Sequence, residues 1–236
     1  MNNYCLVCDT HLKRDFTWAT LIFPPIHSPI CTSCKAKLQL ITGERCRICS
    51  RSLAALNKTF IKADVCMDCV RWEQDPRWAN TLKQNISMYH YNEFLKDVMA
   101  LFKFRGDYQI AEIFAQTLVK ELKKLQFDWV VTIPLSTERL QERGFNQTEA
   151  LAQMAGQETR DCLKRIHSEK QSKKSRGERL RQKQIFQFQG NREEIKEKNI
   201  VLLDDIYTTG TTLRQAAKVL KMAGAKDIQA ITVARG

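Results

Sequence analysis

The amino-acid sequence predicts an α/β protein, a parallel sheet flanked by helices, preceded by a small cysteine-rich domain held by metal. Three observations carry that expectation. Apolar strand, amphipathic helix and apolar strand follow one another at the carboxyl-terminal end. Eight of the nine cysteines lie between Cys5 and Cys69, so the first 70 residues obey a different stabilising rule from the rest. With 236 residues, 43% of them hydrophobic, the chain has the length for one ordinary domain and a smaller one. The boundary is placed between residues 75 and 76, giving domains 1–75 and 76–236.

The amino-terminal elements are set by cysteine spacing. Cys-x-x-Cys pairs stand at Cys5/Cys8, Cys31/Cys34, Cys46/Cys49 and Cys66/Cys69, and two such pairs supply the four thiolates of one tetrahedral zinc. Eight ligands imply two Zn2+ ions. Pairing in sequence order leaves gaps of 22 and 16 residues, close to zinc-ribbon spacing, although interleaved pairing stays open. Pro24, Pro25 and Pro29 break the first gap, and the short segments offer little apolar core, so the zinc is expected to be structural. A redox Cys-x-x-Cys site would need one pair at a helix start, whereas this chain has four in series. His11 and His27 are read as solvated. Cys162 is read as a small buried apolar residue, and Trp72, Trp78 and Phe60 as core of a small metal domain rather than stacking platforms for bases.

In the body of the chain, Ile110, Ile113, Phe114, Leu118, Leu122 and Leu125 recur at helical spacing and mark a helix with one buried face. Lys103 to Asp107 reads as a basic turn before it. Trp129 to Ile133 is a buried strand stopped by Pro134. Asn199 to Leu203 is a second strand, Leu213, Ala216, Ala217, Leu220 and Ala223 form the apolar stripe of the next helix, and Gly224 stops it. Ile228 to Val233 is the closing strand. Strand, helix, strand in this order gives a right-handed parallel crossover, whose ligands bind beyond the carboxyl ends of the strands.

The loop at that end, Asp204 to Thr212, holds the sharpest chemistry. Thr208, Thr209, Gly210, Thr211 and Thr212 can present backbone amides, hydroxyls and a helix dipole to a phosphate. Asp204 and Asp205 cannot bind phosphate, but can accept hydrogen bonds from ribose hydroxyls or act through a divalent cation. Phosphate and hydroxyls together indicate a ribose 5-phosphate compound. A Walker-type loop is excluded because no Gly-Lys-Ser/Thr follows.

The net charge of +12 calls for an anionic partner. Lys164, Arg165, Lys170, Lys173, Lys174, Arg176, Arg179, Arg181 and Lys183 stand against only Glu169 and Glu178, so this stretch holds seven of the twelve excess charges. It reads as an extended loop that meets either pyrophosphate or a nucleic-acid backbone. Lys170, Lys173, Lys174, Arg176, Arg179 and Arg181 are the nucleic-acid candidates. The chain opens without a secretion signal and lacks the ~18-residue apolar run of a membrane span, so a cytoplasmic protein without membrane insertion is expected.

Ile200 to Thr211 resembles the signature of type I phosphoribosyltransferases almost position for position. The resemblance implies that Asp204 and Asp205 hold the ribose of phosphoribosyl pyrophosphate (PRPP), with the threonine loop on its 5-phosphate and Mg2+ on its pyrophosphate. It also implies that the loop after the Pro134 strand, Pro134, Leu135, Ser136 and Arg139, with Arg143, receives pyrophosphate. With the cysteine pairs and Arg143-Gly144-Phe145-Asn146-Gln147 included, the whole chain is similar to the ComF family of bacterial DNA uptake. That similarity implies an accessory role in natural transformation, contact with single-stranded DNA, and work beside a ComFA-type helicase. An active phosphoribosyltransferase acting on an unknown acceptor is the alternative, because fold alone does not settle turnover.

Overall fold

The computed structural model describes residues 3–12, 28–54, 56–104, 106–166 and 185–236. In chain order, helix α1 (Thr32–Lys37) follows the first cysteines, and strands β1 (Ile61–Lys62) and β2 (Val65–Cys66) form a hairpin that runs into α2 (Met67–Gln74). The body then places β3 (Gln84–His90), α3 (Glu93–Phe104), α4 (Ala111–Leu122), β4 (Trp129–Thr132), α5 (Thr137–Arg143) and α6 (Gln147–Met154). Strands β5 (Leu163–Arg165) and β6 (Phe186–Phe188) pair as an antiparallel ribbon. Helix α7 (Arg192–Ile195), β7 (Asn199–Tyr207), α8 (Thr211–Ala223) and β8 (Asp227–Arg235) complete the chain.

The main sheet has the order β3-β8-β7-β4, and every neighbouring pair is parallel. β4 and the first half of β7 read as continuous apolar runs because both faces are covered, whereas β3 and β8 bury the polar Asn85, Ser87 and Thr232, whose side chains hydrogen-bond to one another. On one face, Val130, Val201, Leu203, Ile231 and Val233 meet Val98, Phe102, Phe114, Leu118 and Leu151 of α3, α4 and α6. On the other, Val131, Ile200, Leu202 and Ala230 meet Leu213, Ala217 and Leu220 of α8 and Phe186 of the ribbon. The helical stripe from Ile110 to Leu122 is buried as its spacing requires, and Leu125 packs at its margin. Gly224 ends α8 in the left-handed region, its N–H donating to the Leu220 and Lys221 carbonyls.

The two cysteine groups lie on opposite faces of this sheet. Cys5 and Cys34 join the layer of α3 and α4, whereas Cys46, Cys49, Cys66 and Cys69 join the layer of α8. The chain between them crosses the free edge of β3: Ile41 N–H donates to Met88 O at 3.0 Å, and His90 N–H to Gln39 O at 2.9 Å. A sheet edge left unpaired is a template for aggregation, and this short antiparallel bridge covers it. Among the described residues, no helix is long and apolar enough to cross a membrane.

Candidate functional site

The sheet has a switch point between β4 and β7. These strands are adjacent and parallel, yet α6 after β4 packs on one face while α8 after β7 packs on the other. The two loops therefore diverge and open a crevice at the carboxyl ends, where ligands of such sheets bind. Every predicted ribose-phosphate and pyrophosphate residue among those described, Asp204 to Thr212, Pro134 to Ser136, Arg139 and Arg143, falls on these two strand ends or just beyond them.

On the β7 side the strand outruns its expected end at Leu203 and continues to Tyr207, with Asp204, Ile206 and Tyr207 paired to Thr232, Ala234 and Arg235 of β8. Asp204 and Asp205 are thus strand residues, and the turn is only Thr208, Thr209 and Gly210. Placement within the strand fixes the two carboxylates more tightly than a loop would. Alternation gives them different partners although they stay close enough to interact: Asp205 is ion-paired with Lys103 at the end of α3, both groups being largely buried, while Asp204 shares its surroundings with Arg165 of the β5–β6 ribbon. Burial, then the adjacent Asp205 carboxylate, push Asp204 up to about 8.

The turn is shaped by Gly210, which caps α8 at a φ of +83°. A Cβ there would overlap the Tyr207 hydroxyl, so both conformation and space demand glycine. Gly210→Ala is expected to cost about 1–3 kcal/mol in urea unfolding. An unchanged midpoint would show that the turn relaxes. Thr209 and Thr211 face each other with hydroxyls 2.9 Å apart at the amino end of a 13-residue helix. The amides of that first turn lack intrahelical acceptors, and together with the dipole they suit an anion.

On the β4 side, Ser136 caps α5 by accepting from Arg139 N–H at 3.4 Å. The Arg-Gly-Phe-Asn-Gln segment is a structural corner. Gly144 ends α5 at a φ of +78°, Asn146 caps α6, and Asn146 Nδ2 donates to Ile133 O at 3.3 Å, tying the corner to the end of β4. Arg143 is engaged there, donating to Gln147 Oε1 at 2.9 Å and lying against the Phe104 ring. Arg139 is exposed and stands near Arg165, whose guanidinium is held below its ordinary value by burial and then by the Arg139 charge. The carboxylates of Asp204 and Glu138 act on Arg165 in the opposite sense, so this rim carries charges of both signs.

The sulfurs separate into Cys5, Cys8, Cys31, Cys34 and Cys46, Cys49, Cys66, Cys69, with the ligand atoms of each group within 4.8 Å of one another. Pairing is in sequence order. A tetrahedral ion with metal–sulfur bonds of ~2.3 Å has sulfur–sulfur edges of ~3.8 Å. Cys8 and Cys31 sulfurs are 3.7 Å apart and those of Cys49 and Cys66 3.6 Å, so both tetrads fit a metal ion. Backbone amides complete the shells: Cys34 N–H points to Cys31 Sγ at 3.4 Å and Cys66 N–H to Cys46 Sγ at 3.3 Å. All four sulfurs of the second tetrad are buried, whereas Cys8 of the first is exposed. His11 stacks edge-on against Tyr4 and is outside both groups.

A family model for the phosphoribosyl transferase domain matches residues 111–236. Over 235 residues the chain is 39% identical to the competence protein ComFC of Bacillus subtilis, covering 98% of this chain and 94% of that protein. The chain belongs to the ComF family. Two further ComF relatives are the competence protein ComFC of Streptococcus pneumoniae, 33% identical over 98% of this chain and 99% of that protein, and competence protein F of Haemophilus influenzae, 25% identical over 87% and 96%. Among solved structures, the allosteric regulatory enzyme of purine biosynthesis aligns over 52% of this chain and 25% of its own at a TM-score of 0.35, a likeness too loose to carry an argument.

In this ComF chain the structure adds Lys103 and Arg165 to the site. Neither was a predicted site residue, since Lys103 read as part of a turn and Arg165 as one charge in a basic run. The signal for Lys103 was its place four residues after Met99 on the face of Leu95 and Phe102. His27, Lys170, Lys173, Lys174, Arg176, Arg179 and Arg181 lie outside the described residues. Cys162 is buried in the α8 layer, its thiol pushed up to about 11 by burial and then by Asp161, in keeping with a packing role.

Proposed function

We propose that this ComF chain is a cytoplasmic accessory protein of natural transformation that binds single-stranded DNA and carries a PRPP site. The observation that supports the ligand best is the crevice between β4 and β7. There, carboxylates suited to ribose hydroxyls adjoin a threonine turn at a helix amino end, and Arg139 and Arg165 add positive charge nearby. Asp204 and Asp205 would orient the ribose, the turn and α8 would hold the 5-phosphate, and the Pro134–Arg139 loop would take the pyrophosphate with its Mg2+. Lys103 would hold Asp205 in place. The tetrads would hold structural Zn2+, whose tetrahedral preference and affinity for four thiolates match the sulfur geometry. A closed set of four thiolates leaves no open position for chemistry.

The role in transformation is supported by family membership and the names of the relatives, and the ComFA-type helicase as partner only by the resemblance to the ComF family. The reading of a DNA contact rests on the basic stretch from 164 to 183. Fluorescence anisotropy of a labelled single-stranded oligonucleotide, titrated at several salt concentrations with and without Mg-PRPP, tests it. With six candidate phosphate contacts, log affinity is expected to fall against log salt with a slope of about −4. Replacing Lys170, Lys173, Lys174, Arg176, Arg179 and Arg181 by serine should flatten that slope. An unchanged slope would place the DNA elsewhere. Pyrophosphate release from PRPP with any acceptor would replace the binding role by phosphoribosyl transfer.

A further inference from the structure

The second cysteine tetrad and the threonine turn share one wall. A cleft of about 360 Å³ lies between them, lined by Cys49, Cys69, Trp72, Tyr207, Thr208 and Thr209. Helix α2 carries Cys69 on its first turn and reaches the turn with its last. Trp72 Nε1 donates to Thr209 O at 3.0 Å, and Glu73 Oε1 accepts from Arg214 Nη1 at 2.9 Å. The same element thus holds a metal ligand and clamps the anion-binding turn from behind.

Two buried side chains between them are only partly satisfied. Arg214, in the first turn of α8, is fully buried and lies 5.1 Å over the Trp72 ring, with Nε and Nη2 unpartnered among the described residues. Tyr207 is 2% exposed, and its hydroxyl, also unpartnered among the described residues, fills the space beneath Gly210. Buried donors without acceptors are costly and call for an explanation. Four thiolates around a divalent ion leave a net charge of about −2. Such a charge, wholly buried at Cys46, Cys49, Cys66 and Cys69, favours cations and O–H or N–H donors in its neighbourhood. Tyr207 lines the same cleft as Cys49 and Cys69.

We propose that the second tetrad holds the Thr208–Gly210 turn in its anion-binding form through α2, Tyr207 and Arg214, so that metal at Cys46, Cys49, Cys66 and Cys69 and a ribose 5-phosphate ligand at the turn strengthen each other's binding. Tyr207 and Arg214 are positioning residues in this scheme, and the scheme rests on the PRPP reading of the turn. The first tetrad is not coupled, because it lies on the opposite face of the sheet. Linkage makes the effect reciprocal: whatever factor the metal adds to PRPP affinity, PRPP adds to metal affinity, within a range of about 5–150-fold for coupled sites.

The test is zinc release from the full zinc-loaded chain into a coloured chelator, with and without Mg-PRPP, alongside calorimetry of PRPP binding. Cys5→Ser/Cys8→Ser identifies the phase that belongs to the second tetrad. PRPP is expected to slow that phase at least fivefold and to leave the other unchanged. Tyr207→Phe and Arg214→Lys should keep both metals, weaken PRPP binding and abolish the slowing. Binding of PRPP with equal or no slowing of both phases would overturn the coupling while leaving the PRPP site standing. Absence of PRPP binding to the loaded wild-type chain would overturn the reading of the turn, and the coupling with it.

Discussion

Replacing Cys46 and Cys49 with serine is expected to halve the metal content and to unfold the segment around residues 44–75 without melting the whole protein. Both cysteines are 1% exposed and join the apolar layer that covers one face of the sheet. Structural zinc contributes ~10–16 kcal/mol in zinc-finger peptides, as much as the ~5–15 kcal/mol that holds a typical domain. Beyond the metal, this segment offers short strands of two residues, a single eight-residue helix and few apolar side chains. The loss should spread to β3, because Asn85 N–H donates to Ile48 O at 2.7 Å and Ser50 Oγ donates to Asn85 O at 2.8 Å. Hydrogen exchange should therefore show lost protection in 44–75 and at Asn85, with α4 and β4 still protected. Metal analysis that still finds two ions would refute the ligand assignment. Cys5→Ser/Cys8→Ser should remove the other ion at smaller cost, since Cys8 is exposed where the second tetrad is buried throughout.

Local pattern made most of this architecture legible. The stripe from Ile110 to Leu122, the run Trp129 to Thr132 and the set Leu213, Ala216, Ala217, Leu220 and Ala223 all adopt the expected elements, because in each one periodicity and burial agree. Four Cys-x-x-Cys pairs announced two tetrads for the same reason: a two-residue spacer is a local geometry. What stayed hidden depends on the partner. Sequence pattern ended β7 at Leu203 because aspartates rarely sit in strands, but pairing with β8 at Asp204, Ile206 and Tyr207 carries the strand past both of them. Nothing local in Gln39 to Ile41 says that it will cover the edge of β3, and nothing in Lys103 says that its helix will end against Asp205. The attachment of each cysteine group to a different face of the sheet is likewise a tertiary fact, since only the assembled layers define two faces.

Replacing Asp204 and Asp205 with asparagine, singly and together, should weaken PRPP binding and leave both metals in place. A hydrogen bond to a charged group contributes ~1.5–3 kcal/mol, so at a pH above the value of about 8 at which Asp204 ionises each single change is expected to raise Kd by about 10–150-fold. The double variant should fall short of the product, because the two carboxylates interact directly and contact mutations are not additive. Asp204 also fixes a pH dependence. Its ordinary value is 3.8, and in the fold it stands at about 8, so between these values the folded chain holds a proton that the unfolded chain has released. Stability must therefore fall as pH rises through that window and level off above it. Ribose hydroxyls, in contrast, donate best to the ionised carboxylate, so PRPP affinity should rise over the same window. The protein is thus expected to bind better where it is less stable, as a carboxylate kept dry for its ligand requires. Urea unfolding and calorimetry at about pH 5 and about pH 8.5 measure the two slopes. Asp204→Asn should flatten both, and a slope that survives the change would assign the proton to another group.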